Sequence, residues 1–168
     1  MKIALTTDHA GFEMLKELKQ YLELAGHECV DFGPDVFDSS DDYPGFMFAA
    51  AQAVANGECE RGIILGGSGQ GEAIAANRIR GVRCALFYGT VTPRGPINIE
   101  GNVSDDPYIH VRLSRQHNHT NMLSLGARFV SLDDMKEVSD IWLREPTSNA
   151  ERHVRRVQQL DDADDSVQ

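Results

Sequence analysis

The chain has 168 residues, of which 41% are hydrophobic and 25% are charged, as expected for one globular domain with its own core. Its formal net charge of -10 disfavours nucleic acid and anionic membranes as partners, because both would be repelled at long range. An anionic substrate would therefore need a local basic pocket.

The start of the chain is a short apolar run that meets Asp8 and His9 too early for a signal peptide or a membrane span. Cys29, Cys59 and Cys84 are odd in number and widely spaced, without a CxxC pair. This favours buried reduced thiols over zinc binding or redox chemistry. We therefore expect a cytoplasmic protein.

Short apolar segments alternate with stretches of helical periodicity through most of the chain. Strands that alternate with helices predict a parallel sheet covered on both faces. The predicted fold class is α/β, a three-layer α/β/α sandwich around a Rossmann-like, five-stranded parallel sheet. The predicted strands are residues 2–7, 28–32, 62–65, 82–87 and part of 122–130; the predicted helices are 11–25, 46–55, 71–80, 111–117, 133–143 and 149–160.

We assign residues 1–160 to one domain. Periodicity is lost over residues 90–110, a stretch rich in Pro, Gly, Asn and Asp that predicts an inserted long loop. Long loops in compact domains are often functional. Residues 161–168, DDADDSVQ, are acidic and lack apolar anchors, which predicts a disordered tail.

The most informative segment is GIILGGSGQGEAIAANR, Gly62 to Arg78, in which a buried strand enters a glycine-rich turn and then a helix. Backbone amides at such a turn can hold an anion, and the helix dipole favours negative charge there. Nucleotide-binding motifs fit poorly, because Gly71 precedes Glu72 instead of a lysine, and Glu72 replaces the last glycine of the dinucleotide motif. Glu72 lies in the first helical turn, where the dipole favours the charged carboxylate that a general base needs. A helix-capping acid is the alternative.

Four ordered blocks resemble the family of ribose-5-phosphate isomerase B and galactose-6-phosphate isomerase. They are TTDHAGFEMLKELKQYL, the Gly62 to Arg78 segment, RLSRQHNHTNMLSLGAR and ERHVRRV, and the resemblance covers nearly the whole chain. Many members place a cysteine base at the end of the strand, where this chain has Gly66. One branch instead uses a glutamate on the following helix in a GSGxGE context, which residues 67–72 match. The resemblance therefore implies a sugar-phosphate aldose-ketose isomerase, with ribose 5-phosphate as the default substrate and Glu72 as the base.

The resemblance also implies roles for individual residues in moving a proton between C1 and C2 of an open-chain sugar. Asp8 and His117 would assist ring opening, and Glu72 would carry the proton. Ser68 would stabilise the enediolate together with the amides of the glycine-rich turn, and Asn118 would contact the sugar. The other implied substrate-binding residues are Gly67, Gly69, Gln70 and Gly71 in that turn, His9, Arg128, Arg152 and Arg156 at the phosphate, and His153 in support.

A site shared between two subunits is a further implication, with His117, Asn118 and some arginines supplied by the partner chain. We therefore expect a homodimer or a dimer of dimers. The resemblance implies no cofactor and no metal, and the histidines at 110, 117 and 119 lack an established ligand spacing. Each site residue has a plain alternative: surface histidines at a helix end, a solvated arginine face, or helix capping by Asp8.

Other substrates and other functions stay open. Family members act on ribose, allose, galactose and erythrose phosphates, and the loop at 90–110, longer than the usual family connection, could adjust that choice. A non-catalytic sugar-phosphate sensor would fit the missing cysteine, although the retained Asp8, Ser68, Glu72 and His117 favour an enzyme. A nucleotide-binding regulator is disfavoured because the Walker lysine is missing.

Overall fold

Five parallel strands form the central sheet of the protein in this computed structural model, which describes residues 1–163. The strands are β1 (Lys2–Thr6), β2 (Glu28–Asp31), β3 (Arg61–Gly66), β4 (Cys84–Phe87) and β5 (Met122–Gly126). They are arranged in the order β2-β1-β3-β5-β4, and every neighbouring pair is parallel. Because all five strands run the same way, their carboxyl ends share one edge of the sheet, which we call the carboxyl edge; the opposite one is the amino edge.

Helices cover both faces of the sheet and complete the predicted three-layer sandwich. Side chains alternate along each strand, so Ile3 and Leu5 enter one core while Ala4 enters the other. Trp142 and Leu18 belong to the first core, which is the larger. The helices are α1 (Phe12–Leu24), α2 (Tyr43–Ala55), α3 (Gln70–Ala76), α4 (Ile109–Asn118), α5 (Leu132–Arg144) and α6 (Glu151–Asp161), with a 3-10 turn at His9–Gly11 before α1.

Two segments lie outside this regular pattern. No helix or strand occurs between Phe87 and Ile109, where the sequence predicts the long loop. The tail boundary predicted at residue 161 is wrong, because α6 includes Asp161, whose Oδ1 accepts a hydrogen bond of 2.6 Å from Nη1 of Arg83. Residues 164–168 of the predicted tail lie outside the described residues.

Across residues 1–163, every helix is too short or too polar to cross a membrane.

Candidate active site

The carboxyl edge collects three of the segments that the sequence singles out. Asp8 and His9 follow β1, the glycine-rich turn follows β3, and Arg128 follows β5. The backbone N–H of Arg128 donates to the carbonyl of Gly67 at 3.1 Å. A Cβ atom at Gly67 would lie only 3.2 Å from Cζ of Arg128, so the guanidinium group lies against the turn. The parallel topology therefore brings these residues together, although they are far apart in sequence.

The glycine-rich turn is held in place by close contacts. Gly69 has φ 74°, a conformation that favours glycine. Its carbonyl accepts a 2.7 Å hydrogen bond from the Ser124 hydroxyl. The Ser68 hydroxyl accepts a 3.2 Å hydrogen bond from the amide of Gln70, at the start of α3. Tyr43, which the sequence analysis did not single out, places its hydroxyl 2.7 Å from where a Cβ of Gly71 would lie.

Glu72 is a buried carboxyl group beside this turn. Its side chain is 4% exposed, and Oε2 is buried without a hydrogen-bond partner. Burial raises the pKa of Glu72, and the nearby charge of Asp8 raises it further, against the opposing effects of backbone amides and Arg128. From sequence, the helix dipole predicts a charged Glu72, whereas the burial seen in the structure was not predicted. A buried carboxyl with a raised pKa can accept a proton near neutral pH.

Gly66 and Glu72 depend on each other sterically. A Cβ atom at residue 66 would overlap the Glu72 carboxyl group and lie 2.5 Å from its Cγ, much closer than two nonbonded carbon atoms approach. The end of β3 therefore has room for a side chain at residue 66 or for the Glu72 carboxyl group in this position, but not for both.

Asp8 and His9 begin the 3-10 turn after β1, and both are held by local hydrogen bonds. Asp8 caps the turn, because Oδ1 accepts a 2.9 Å hydrogen bond from the amide of Ala10. Nδ1 of His9 lies 2.6 Å from Oδ1 of Asp41, and this hydrogen bond raises the pKa of His9. Asp41 is absent from the sequence-predicted site. Its position follows from the fold, since the connection after β2 also leaves the carboxyl edge.

Asp8, His9 and Asp41 are also the one group in residues 1–163 with ligand atoms close enough for a metal, all within 4.8 Å of one another. The histidines weighed as a metal group from sequence lie on α4 and directly after it. His110 stacks on Phe87 at its start, with the ring centroids 5.6 Å apart. His119 follows its end and bonds the carbonyl of Ser148 through Nε2 at 2.9 Å.

A second group of predicted site residues lies where α4 and α6 meet. The ring centroids of His117 and His153 are 4.2 Å apart, and Nε of Arg152 donates to Nε2 of His153 at 3.2 Å. Burial lowers the pKa of both histidines, and the charges of Arg152 and Arg156 lower it further. We call His117, Arg152, His153 and Arg156 the amino-edge cluster. A cavity of about 290 Å³ opens beside it, at the lower end of the range for small-molecule sites.

Asn118 lies next to this cluster but lines a different cavity, of about 520 Å³. Its carbonyl accepts a 3.1 Å hydrogen bond from Nε of Arg83. Arg83 directly precedes β4, and its own carbonyl accepts the amide of Asn121 just before β5. These contacts place the end of α4 beside the starts of β4 and β5, at the amino edge.

The predicted site residues therefore form two groups at opposite edges of the sheet. We call Asp8, His9, Ser68, Glu72 and Arg128 the carboxyl-edge cluster. Within residues 1–163, no hydrogen bond or ion pair joins it to the amino-edge cluster. One protomer does not bring Glu72 and His117 together.

The comparisons with known proteins agree with this fold. The family model described as Ribose/Galactose Isomerase matches residues 3–94 and 101–160. Ribose-5-phosphate isomerase B of Mycolicibacterium paratuberculosis is 36% identical over 157 residues, which cover 94% of this chain and 87% of that protein. Its counterpart from Escherichia coli K12 is 36% identical over 159 residues, covering 95% of this chain and 93% of that protein.

A solved structure is similar over almost the full length. It is ribose-5-phosphate isomerase B from Mycoplasma genitalium with bound ribulose-5-phosphate, with a TM-score of 0.82, 29% identity, and coverage of 99% of this chain and 97% of that one. The family model, the curated relatives and the solved structure thus all indicate the same family. The chain belongs to the ribose/galactose isomerase family.

Proposed function

We propose that this protein is an aldose-ketose isomerase that interconverts ribose 5-phosphate and ribulose 5-phosphate. Its similar relatives carry the name ribose-5-phosphate isomerase B, and one of them binds ribulose-5-phosphate. The observation that carries the proposal is Glu72, a buried carboxyl group with an unpartnered oxygen beside a glycine-rich turn. Isomerisation of an allose, galactose or erythrose phosphate is the alternative within the same chemistry.

The proposed reaction moves one proton between neighbouring carbons. Asp8 and the partner subunit's His117 transfer protons during opening of the sugar ring. Glu72 then removes the proton from C2 of the open aldose, which gives an enediolate, and returns it to C1 while a proton passes from O2 to O1. Ser68 and the amides of residues 67–71 stabilise the negative oxygen of the enediolate. The raised pKa of Glu72 suits this role, because the base must both take up and release the proton.

The phosphate of the substrate is proposed to bind between cationic groups of two subunits. His9 and Arg128 would come from one subunit, and Arg152 and Arg156 from the other, with His153 in support and Asn118 at the sugar. Guanidinium groups suit a phosphate because they form paired hydrogen bonds. Such a pocket would let a chain with a net charge of -10 bind an anion.

The separation of the two clusters supports an assembly of at least two subunits, either a dimer or a dimer of dimers. Co-expression of Glu72→Gln chains with His117→Ala chains tests this. In a mixed dimer one site loses both groups, and the other keeps Glu72 from one chain and His117 from its partner. Random pairing should therefore recover about a quarter of wild-type activity from two inactive variants. No recovery, with mixed dimers confirmed by affinity tags, would contradict a shared site.

A cytoplasmic location is also part of the proposal. Cys29, Cys59 and Cys84 are free thiols in the structure, which fits a reducing compartment. Cell fractionation with a periplasmic and a membrane marker would test it.

The experiment that tests the function measures isomerisation of a panel of aldose phosphates, with EDTA present throughout. Wild type, Glu72→Gln and the matched control Glu17→Gln, an exposed glutamate on α1, are compared. We expect turnover by wild type and by the control, and a loss of about 10²- to 10⁴-fold in Glu72→Gln. Wild-type protein that binds these phosphates but turns over none would instead favour the sugar-phosphate sensor.

A further inference from the structure

Residues 95–100 are an insertion relative to the family. The family model matches the chain on both sides of them but leaves them out. They lie in the connection between β4 and α4. The base of this connection is pinned where the amide of Val91 donates to the carbonyl of Pro107 at 2.9 Å. The insertion is therefore an addition to a segment whose two ends are fixed by the common fold.

The insertion has a defined shape of its own. The amide of Ile97 donates to the carbonyl of Asn102 at 2.7 Å, and the amide of Asn102 donates to Oδ1 of Asn98 at 3.0 Å. Gly101 has φ 81° and donates its amide to the carbonyl of Asn98 at 3.2 Å. These hydrogen bonds close a turn that faces the rest of the protein with a fixed set of side chains.

This turn lies against the amino-edge cluster. The cavity of about 290 Å³ is lined by the four residues of that cluster and by Pro96, Ile97, Asn98 and Ile99 of the insertion. Oε1 of Glu100 lies 3.9 Å from Nη1 of Arg152. Of the two isoleucines in this wall, Ile97 is half-buried and Ile99 is 78% exposed. Half of the cavity wall thus comes from residues outside the family model.

This wall borders the arginines that the proposed function assigns to the phosphate end of the substrate. In the proposed function, C1 and C2 lie at Glu72 of one subunit, and the phosphate lies between cationic groups of that subunit and the arginines of the other. The distance between these two points is set by how the subunits associate. An additional carbon needs more room at the phosphate end, and Ile97 of the insertion borders the cavity at that end.

We infer that the insertion at residues 95–100 is a specificity-determining wall, in which Ile97 selects against six-carbon sugar phosphates in favour of shorter ones. The inference rests on the proposed function, because it assigns the cavity to the phosphate end of the substrate. Shape is the basis of the selection: Ile97 is an apolar part of a largely polar wall, and where a substrate meets an apolar side chain, one methylene group more or less changes discrimination by about tenfold or more.

The test compares kcat/KM for erythrose 4-phosphate, ribose 5-phosphate and allose 6-phosphate. Wild type should discriminate against the six-carbon substrate. Ile97→Ala should raise the ratio of six-carbon to five-carbon kcat/KM about tenfold, with little change for ribose 5-phosphate. The side chain of Ile97 makes no hydrogen bond, so this substitution keeps the turn closed. Val103→Ala is the matched control, because Val103 is a 77% exposed apolar residue of the same loop that does not line the cavity; its ratio should stay at the wild-type value.

A second variant, with residues 95–100 deleted, should relax the discrimination further if circular dichroism shows it folded. An unchanged ratio in active Ile97→Ala enzyme would overturn the inference and leave the proposed function standing. Wild type that prefers allose 6-phosphate would also overturn it. Wild type that turns over none of the three substrates would instead contradict the proposed function.

Discussion

A single added methyl group at Gly66 should displace the proposed base. The backbone of Gly66 has no positive φ, so alanine suits it conformationally. Its Cβ atom would nevertheless lie 2.5 Å from Cγ of Glu72 and overlap the carboxyl group. Glu72 is the group that must move, because the new Cβ atom is attached to the backbone of β3, which is paired with a strand on each side.

The size of the effect follows from this geometry. Nonbonded carbon atoms are most stable about 3.5 Å apart or more, so relieving the contact moves the Glu72 side chain by about 1 Å or more. A misplacement of about 1 Å in a reacting group costs about 10²-fold in rate. We therefore expect Gly66→Ala to lower kcat about 10²-fold and to leave KM close to the wild-type value, because the phosphate-binding residues do not move.

Steady-state isomerisation of ribose 5-phosphate measures this, with thermal unfolding as the check on folding. Gly45→Ala is the matched control, since a Cβ there meets nothing within 4 Å; it should keep wild-type kcat. A folded Gly66→Ala protein with wild-type kcat would refute the assignment of Glu72 as the base in this position.

Three further predictions concern the same edge of the sheet. First, kcat/KM should fall as the pH decreases through the pKa of Glu72, which burial raises. In the unfolded chain this carboxyl group releases its proton at a lower pH, so the stability of the fold decreases as the pH rises from the unfolded-state pKa to the folded-state pKa. Glu72→Gln should therefore raise Tm at neutral pH. A Tm that drops instead would contradict the burial argument. Second, Gly66→Cys combined with Glu72→Ala should regain about tenfold or more in kcat over Glu72→Ala alone, since a thiolate then occupies the vacated space; no gain would argue that the two bases are not interchangeable. Third, Asp41→Asn should lower the pKa of His9 and raise KM about tenfold at neutral pH. The effect on KM should be smaller near about pH 5, where His9 is protonated in both proteins. A change in KM that does not depend on pH would indicate a purely structural role for Asp41.

The alternation of strands and helices was predictable from sequence because its determinants are local. Each buried strand is a short apolar run, and each helix has a 3.6-residue pattern. The ends of elements were less predictable where side chains intervene. Helix α3 stops at Ala76 and not at residue 80, because the Asn77 side chain bonds the carbonyl of Ala73 and both the amide and the carbonyl of Cys84. Helix α2 starts at Tyr43 and not at 46, because Pro44 suits the first turn of a helix.

The candidate site was predictable only as a set of residues. Family resemblance names Glu72 and His117, but their location at opposite edges depends on α4 running back along the sheet. Asp41 was not predicted from sequence, because it is one of several neighbouring acidic residues. Only the pairing of β2 with β1 brings it to the carboxyl edge beside His9. The contact between the insertion and Arg152 likewise depends on the tertiary fold. The long loop starts at the carboxyl edge and reaches residues at the far end of α4, a helix about 15 Å long.

The charge of the amino-edge cluster bears on the chemistry proposed for His117. Burial and the charges of Arg152 and Arg156 lower the pKa of His117, so its imidazole is neutral at pH 7 without substrate and can accept a proton from a sugar hydroxyl. A phosphate bound at those arginines, as proposed, adds negative charge beside the same ring and raises its pKa again. Substrate binding would thus bring the pKa of His117 closer to neutral pH, so that its imidazole can both accept and donate protons, as ring opening requires. A substrate without its phosphate should therefore react more slowly even when it saturates the enzyme.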